Sequence, residues 1–165
     1  MKVTPNRLKW VLRFYPPFFF QRIWVKSIRE GYTGADVTIR KSLLNINGNR
    51  SIFGGTIFSS IDPIYPLLIN AYVRSKGLRK TVSWLKSAQI DYKKPGYRSL
   101  HFSVKLEPAD MQSALETLLT DGKVIKTFCT DIFDVDGLHC ATVRNEIYIR
   151  NLQFDFNSIN TTTET

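Results

Sequence analysis

Cysteine and histidine are scarce: the 165 residues contain only Cys129, Cys140, His101 and His139. No CxxC pair and no Cys/His cluster at metal-ligand spacing occurs, so no metal site is expected. If Asp136 and Gly137 centre a two-residue hairpin turn, Cys129 faces Arg144 and Cys140 faces Phe133, and the thiols do not pair. Long hydrophobic runs are also missing. The stretch MKVTPNRLKWVLRFYPPFFFQRIWV is broken by Arg13, Pro16, Pro17 and Arg22. It is too interrupted for a membrane span or the apolar core of a signal peptide, and a cytoplasmic setting is the expectation. No block of five or more Lys and Arg residues occurs, so a nucleic-acid-binding arm is not expected.

What the chain does have is positive charge, a formal +9. Such a field attracts acidic partners: nucleic acid, anionic lipid, an acidic carrier protein or a phosphorylated cofactor. Charge alone does not choose among them, and a solvated basic surface is the plain alternative. The hydrophobic share of 43% suits one globular core rather than disorder. Residues 1–156 read as a single domain with an amino-terminal helix, and the polar tail 157–165 reads as disordered.

Thr4 and Pro5 form an N-cap and first-turn pair, with Leu8, Val11, Leu12 and Tyr15 at helical spacing, so a short helix is predicted to end before Pro16. The triplet Phe18, Phe19, Phe20 reads as core. From Ile23 to Arg40 a hairpin is predicted, with Ala35, Val37 and Ile39 alternating against polar neighbours and Gly31 and Gly34 marking the turn. NINGNR (45–50) is loop by composition. Further strands are predicted with Val82, Trp84, Ala88, Ile90 and Tyr92 on one face and then Leu100, Phe102, Val104 and Leu106 on one face. A surface helix over 108–119 and a last hairpin over 123–150 complete an α+β domain whose sheet needs a cover.

The greasiest segment, SIFGGTIFSSIDPIY (51–65), supplies that cover and carries a carboxylate directly before a proline. If Gly55 to Tyr72 is one helix, Ile57, Ile61, Ile64, Tyr65, Leu68 and Tyr72 form its apolar stripe with Asp62 at the edge. Gly55 and Asp62 then lie within about 20° of each other around the axis. Free N–H groups at a helix start suit a developing oxyanion, and a carboxylate nearby can attack a carbonyl carbon or deprotonate water. Acyl transfer to water is the chemistry this favours. The competing reading starts the helix at Pro63 with Asp62 as its N-cap, because an internal proline costs about 3 kcal/mol.

YPP (15–17), FGG (53–55), the Asp62-Pro63 pair with Tyr65, and WLKSAQIDYKKPG (84–96) occur in an order that resembles the hotdog-fold thioesterase superfamily. Within it, the chain is similar to the branch called domain of unknown function 4442, near the phenylacetyl-CoA thioesterase group. The resemblance implies an antiparallel sheet wrapped around a long central helix that runs through Pro63, and subunits paired edge to edge as a homodimer or dimer of dimers. It implies Asp62 as nucleophile or general base, Gly54 or Gly55 as the amide that polarises a thioester carbonyl, and Asn47 as a neutral amide that orients substrate or water. Phe53 and Trp84 would line the substrate site, and Lys93, Lys94 and Arg98 would meet the phosphates of coenzyme A or an acidic carrier protein. No cofactor is implied beyond the coenzyme A of a substrate. The chain departs from the family pattern at Ile52, where relatives carry histidine, and at Leu85, where they carry an acidic residue. A non-catalytic acyl-CoA-binding or sensing module of the same fold is the alternative, and nucleic-acid binding ranks last.

Overall fold

Local rules set the first elements of the computed structural model, which describes residues 3–156; the expected disordered tail lies outside them. Thr4 caps helix α1 (Pro5–Phe14), its hydroxyl accepting from the Arg7 N–H at 3.3 Å. Pro16 opens the short helix α2 (Pro16–Phe20). Strands β1 (Ile23–Ile28) and β2 (Gly34–Ile39) form the expected hairpin around a 3₁₀ turn in which Gly31 takes φ 66°, a conformation that only glycine adopts without strain.

Beyond the loop come helices α3 (Gly54–Ile61) and α4 (Ile64–Ser75), then β3 (Thr81–Tyr92), β4 (Leu100–Lys105), α5 (Pro108–Thr120), β5 (Lys123–Asp134) and β6 (His139–Asn151). The six strands make one antiparallel sheet in the order β1-β2-β4-β5-β6-β3. Ala35, Val37 and Ile39 of β2 and Leu100, Phe102 and Val104 of β4 turn inward from neighbouring strands. Against them pack Ile57, Ile61, Ile64, Tyr65 and Leu68 of the central helices, all buried, while Tyr72 lies at the edge of the core. Tyr65 stacks on Phe128 with ring centroids 4.6 Å apart, and its hydroxyl meets Thr130 Oγ1 at 2.6 Å. The one polar atom of that ring is thereby satisfied, which burial requires.

The central helix begins at Gly54 and is interrupted at Asp62-Pro63; the competing reading is corrected, because residues 54–61 are helical and Asp62 closes α3 instead of capping α4. Asp62 and Pro63, which join α3 to α4, keep right-handed helical angles. Pro63 has no N–H to return to the preceding turn, which ends α3 without ending the helical path.

Three expectations are corrected. The face assigned to Val82, Trp84, Ala88, Ile90 and Tyr92 does not exist, because β3 carries a bulge at Lys86: Leu85 pairs with Ile147 and Ser87 with Glu146. Val82 and Trp84 therefore share a face with Tyr148, whereas Ala88, Ile90 and Tyr92 lie opposite Asn145, Val143 and Ala141 on the other. Cys129 does face Arg144, but Phe133 pairs with His139, so Cys140 is the bulged residue beside the turn; both thiols are free. Of the phenylalanine triplet, only Phe18 is core; Phe19 and Phe20 are exposed.

Candidate active site

The start of α3 is held from both sides. The Phe53 N–H donates to the Asn45 carbonyl at 2.8 Å, and the Ile52 N–H to the Gly96 carbonyl at 2.9 Å. Asn45 is itself buried, its Nδ2 donating to the Gln21 and Arg40 carbonyls at 2.8 and 2.9 Å. The Thr56 and Ile57 N–H groups both find the Phe53 carbonyl. The Gly54 and Gly55 N–H groups have no acceptor among the described residues, as expected of the first two positions of a helix. They form the positive end of its dipole.

Each glycine lies under a ring. The Tyr92 hydroxyl donates to the Gly54 carbonyl at 2.9 Å, and a Cβ on Gly54 would stand 2.9 Å from that hydroxyl oxygen. A Cβ on Gly55 would stand 2.3 Å from Phe53 Cε1. Glycine here permits the close approach of an exposed aromatic ring and does not supply unusual backbone angles; a larger residue would have to push that ring aside. Tyr92 was read from the sequence only as a strand residue, not as a site residue. Its signal is its place in the YKKPG run, where β3 ends and the chain turns back beneath the helix start.

Two clefts flank this helix start. The first, about 310 Å³, is lined by Asn47, Ile52, Gly54, Tyr92, Lys93 and Lys94 together with parts of the neighbouring loops. The second, about 330 Å³, is lined by Gln21, Leu44, Phe53, Gly55, Thr56 and Ser59 among others. Asn47 spends its Oδ1 on its own loop, accepting from the Asn49 N–H, the Ser51 N–H and the Ser51 hydroxyl at 3.0, 3.2 and 3.1 Å. Its Nδ2 has no acceptor among the described residues and is the atom left to meet a ligand. Lys93 pairs with Asp91, while the Lys94 ammonium has no partner among the described residues. Buried Ile52 makes the wall beneath them apolar.

Asp62 lies at the far end of α3, half-buried; its N–H donates to the Phe58 carbonyl at 3.2 Å, but its carboxylate has no hydrogen bond or ion pair among the described residues. Burial pushes its carboxyl above the ordinary range for aspartate. It lines neither cleft. Seven residues separate it from Gly55, about 10 Å along a helix axis. A single carbonyl carbon cannot stand within about 3 Å of the carboxylate and also present its oxygen to the glycine amides of the same chain.

The structure therefore gathers Asn47, Gly54, Lys93 and Lys94 in one cleft and Phe53 and Gly55 in the other. Asp62, Trp84 and Arg98 stand outside both. Trp84 lies on the opposite face of the sheet against Tyr148, ring centroids 4.6 Å apart, and Arg98 pairs with Asp136 at 3.0 Å in solvent. No group of three His, Cys, Asp or Glu side chains among the described residues is placed to hold a metal. No helix among them is long and apolar enough to cross a membrane.

A family model described as "Domain of unknown function (DUF4442)" matches residues 6–136. No curated protein matches the sequence significantly. Among solved structures, a protein of unknown function from Pseudomonas aeruginosa, called a "probable thioesterase", superposes with a TM-score of 0.71 at 15% identity, covering 88% of this chain and 95% of that one. The PaaI protein of the phenylacetic acid degradation operon of Escherichia coli gives 0.61 at 16%, covering 87% and 90%. A thioesterase from Haemophilus influenzae gives 0.66 at 12%, covering 93% and 94%. The shared architecture is the α+β hotdog fold, a six-stranded antiparallel sheet against a long central helix.

Proposed function

We propose that this chain, which belongs to the DUF4442 family, hydrolyses acyl thioesters carried on coenzyme A or on an acidic carrier protein, in the cytoplasm, with residues 1–156 as the working domain. The observation that carries this reading is the free pair of amides at Gly54 and Gly55, of which Gly54 lines the same cleft as Lys93 and Lys94 and Gly55 lines the neighbouring one. The amides would donate hydrogen bonds to the thioester oxygen as negative charge develops on it. The lysines would meet phosphate. Similarity to hotdog proteins called thioesterases supports the reaction class.

In this reading Asp62 acts across a subunit boundary. The spacing of about 10 Å along one helix is too long for one chain to supply both groups, so the carboxylate would serve the glycine amides of a second copy. The β3 edge suits such pairing, since α1 packs on the opposite edge strand β1 while β3 is exposed over most of its length. As general base, Asp62 would take a proton from water as the water oxygen bonds to the carbonyl carbon. Collapse of the tetrahedral adduct then breaks the C–S bond, and the proton leaves with the thiol. With Asp62 as nucleophile, its oxygen would bond to the carbonyl carbon and the C–S bond would break, releasing the thiolate and leaving a mixed anhydride that water then opens to the free acid and the Asp62 carboxylate. Asn47 Nδ2 is placed to orient the water or the substrate amide.

The test is thiol release from a panel of acyl-CoAs by the purified full chain, with sedimentation equilibrium alongside to measure its oligomeric state. Turnover that Asp62→Ala leaves unchanged would remove Asp62 from the mechanism. A second reading, an acyl-CoA-binding module without turnover, is favoured by one observation: Asp62 lines neither cleft. Saturable binding of acyl-CoA without thiol release, in a preparation shown to be dimeric, would select it.

A further inference from the structure

The charge of the chain is unevenly placed. Residues 1–61 carry ten Lys and Arg against two acidic residues, a net of +8, whereas residues 62–165 carry thirteen against twelve. The first acidic residue is Glu30, and the second, Asp36, is occupied by Arg29 at 3.1 Å and by Ser27 and Ser103. The same segment shows most of the exposed aromatic side chains. Trp10 is 44% exposed, Phe14 64% and Phe20 63%, with Phe19 beside them.

Helix α1 explains how these rings come to face outward. Leu8 and Leu12 lie one turn apart and are buried. Trp10 and Phe14 lie one turn apart on the opposite side, their rings stacked at 5.9 Å. The helix is thus apolar on two opposed sides, with Lys9 and Arg13 in one flank between them and the exposed Val11 in the other. Arg13 locks the outer side in place: its Nε donates to the Val25 carbonyl at 2.8 Å, and its guanidinium lies 4.5 Å from the Trp10 ring centroid and 4.4 Å from that of Trp24. At the tip of the neighbouring loop, Leu43 is 91% exposed with Leu44 next to it, and Asn45 ties this loop to Gln21 just after Phe20. The core has no use for these side chains, and a soluble surface does not favour them.

We infer that this amino-terminal surface docks onto an anionic lipid bilayer, with Trp10, Phe14, Phe20 and Leu43 entering the headgroup boundary and the surrounding Lys and Arg held by lipid phosphate. Two exposed pairs of touching aromatic rings, Trp10 with Phe14 and Phe19 with Phe20, in a basic, acid-poor segment make the pattern of an interfacial anchor. Nucleic acid fits less well. The Trp10 ring already stacks on Phe14 and the Arg13 guanidinium, which leaves little open ring face for bases, and aliphatic tips such as Leu43 suit acyl chains. Leu44 also lines the cleft that reaches Gly55, so the docked surface would bring that cleft close to the lipid. The inference stands independently of the thioesterase reading.

The experiment is cosedimentation of the full chain with vesicles of equal parts phosphatidylcholine and phosphatidylglycerol, and with vesicles of phosphatidylcholine alone. The expected result is binding to the anionic vesicles that weakens with added salt, and a drop of about tenfold or more in the partition coefficient for Trp10→Ser/Phe14→Ser. A Phe20→Ser/Leu43→Ser pair, on a different element, shifts it in the same direction. These side chains are solvent-exposed, so an unchanged circular-dichroism melt certifies the fold of each variant. No binding to either vesicle, equal binding by wild type and variants, or salt-insensitive binding to both vesicles overturns the proposal. If vesicles fail and the variants instead change the sedimentation coefficient of the protein alone, the surface belongs to a second copy. If vesicles fail and a single-stranded oligonucleotide binds, it belongs to nucleic acid.

Discussion

Tyr92 and Gly54 meet at 2.9 Å, hydroxyl to carbonyl, across 38 residues of sequence, and this contact fastens the end of strand β3 to the first turn of helix α3. Tyr92→Phe removes the bond and should cost about 1 kcal/mol in a chemical denaturation curve. Gly54→Ala places a methyl group 2.9 Å from the hydroxyl oxygen and 3.0 Å from Cζ, so it should cost more, about 1–3 kcal/mol. In a Tyr92→Ala background the same glycine substitution should be nearly neutral, since the obstruction is gone; a double-mutant cycle reads this coupling directly.

Asp62 gives the fold a pH dependence with a definite sign. Its pKa is raised by burial in the folded state, so the folded chain holds this proton more tightly than the unfolded chain. The stability it contributes is full below the unfolded value of about 3.9 and is lost as pH rises through the folded pKa. Asp62→Asn does not titrate. Its Tm advantage over wild type should therefore grow through this acidic window and level off at neutral pH, as thermal melts at stepped pH will show. Thiol release at neutral pH should fall by about 100-fold or more in the same variant if Asp62 is the base.

Asn145 is fully buried on β6, and neither its Nδ2 nor its Oδ1 has a partner among the described residues. An unsatisfied buried amide is costly, so Asn145→Leu, similar in size, should raise stability by about 1–3 kcal/mol. Denaturant midpoints of the two proteins provide the comparison. A loss of stability would mean that the amide is bonded in solution.

Gly122 turns the chain from α5 into β5 at φ 72°, and a Cβ there would stand 2.4 Å from the Phe154 ring. Gly122→Ala meets both backbone strain and a collision, and should cost about 1–3 kcal/mol. Gly137→Ala, with φ 85° and open space around it, meets only the strain and should cost less. Melting the two side by side separates the two effects.

The parts of this fold that were legible in the sequence are those fixed by neighbouring residues. Thr4 and Pro5 start a helix whatever surrounds them, and Ala35, Val37 and Ile39 alternate because one face of a sheet is dry. The bulge at Lys86 was illegible, since it depends on how β6 is matched across the ladder and not on any residue type in β3. Phe18 and Phe19 have the same side chain; only the path of the chain decides which one is covered. Within the candidate site, the glycine pair and its helix start could be read from FGG. The pairing of Gly54 with Tyr92 could not, because it joins segments that only the folded sheet brings together. Asp62 was legible as an oddity within an apolar run, but its distance from the glycines along the axis became decisive only once the helix was in place.

The extra residue at Lys86 divides strand β3 into halves of opposite phase. A saturation scan along this strand should record the change: positions that tolerate charge should alternate in one parity up to Leu85 and in the other from Ser87 to Tyr92. Deleting Lys86 would leave Leu85 opposite Ile147 and Ser87 opposite Glu146 and every other residue on its present face, whereas inserting a second residue there would exchange the inward and outward residues of one half, so the insertion should disrupt more than the deletion.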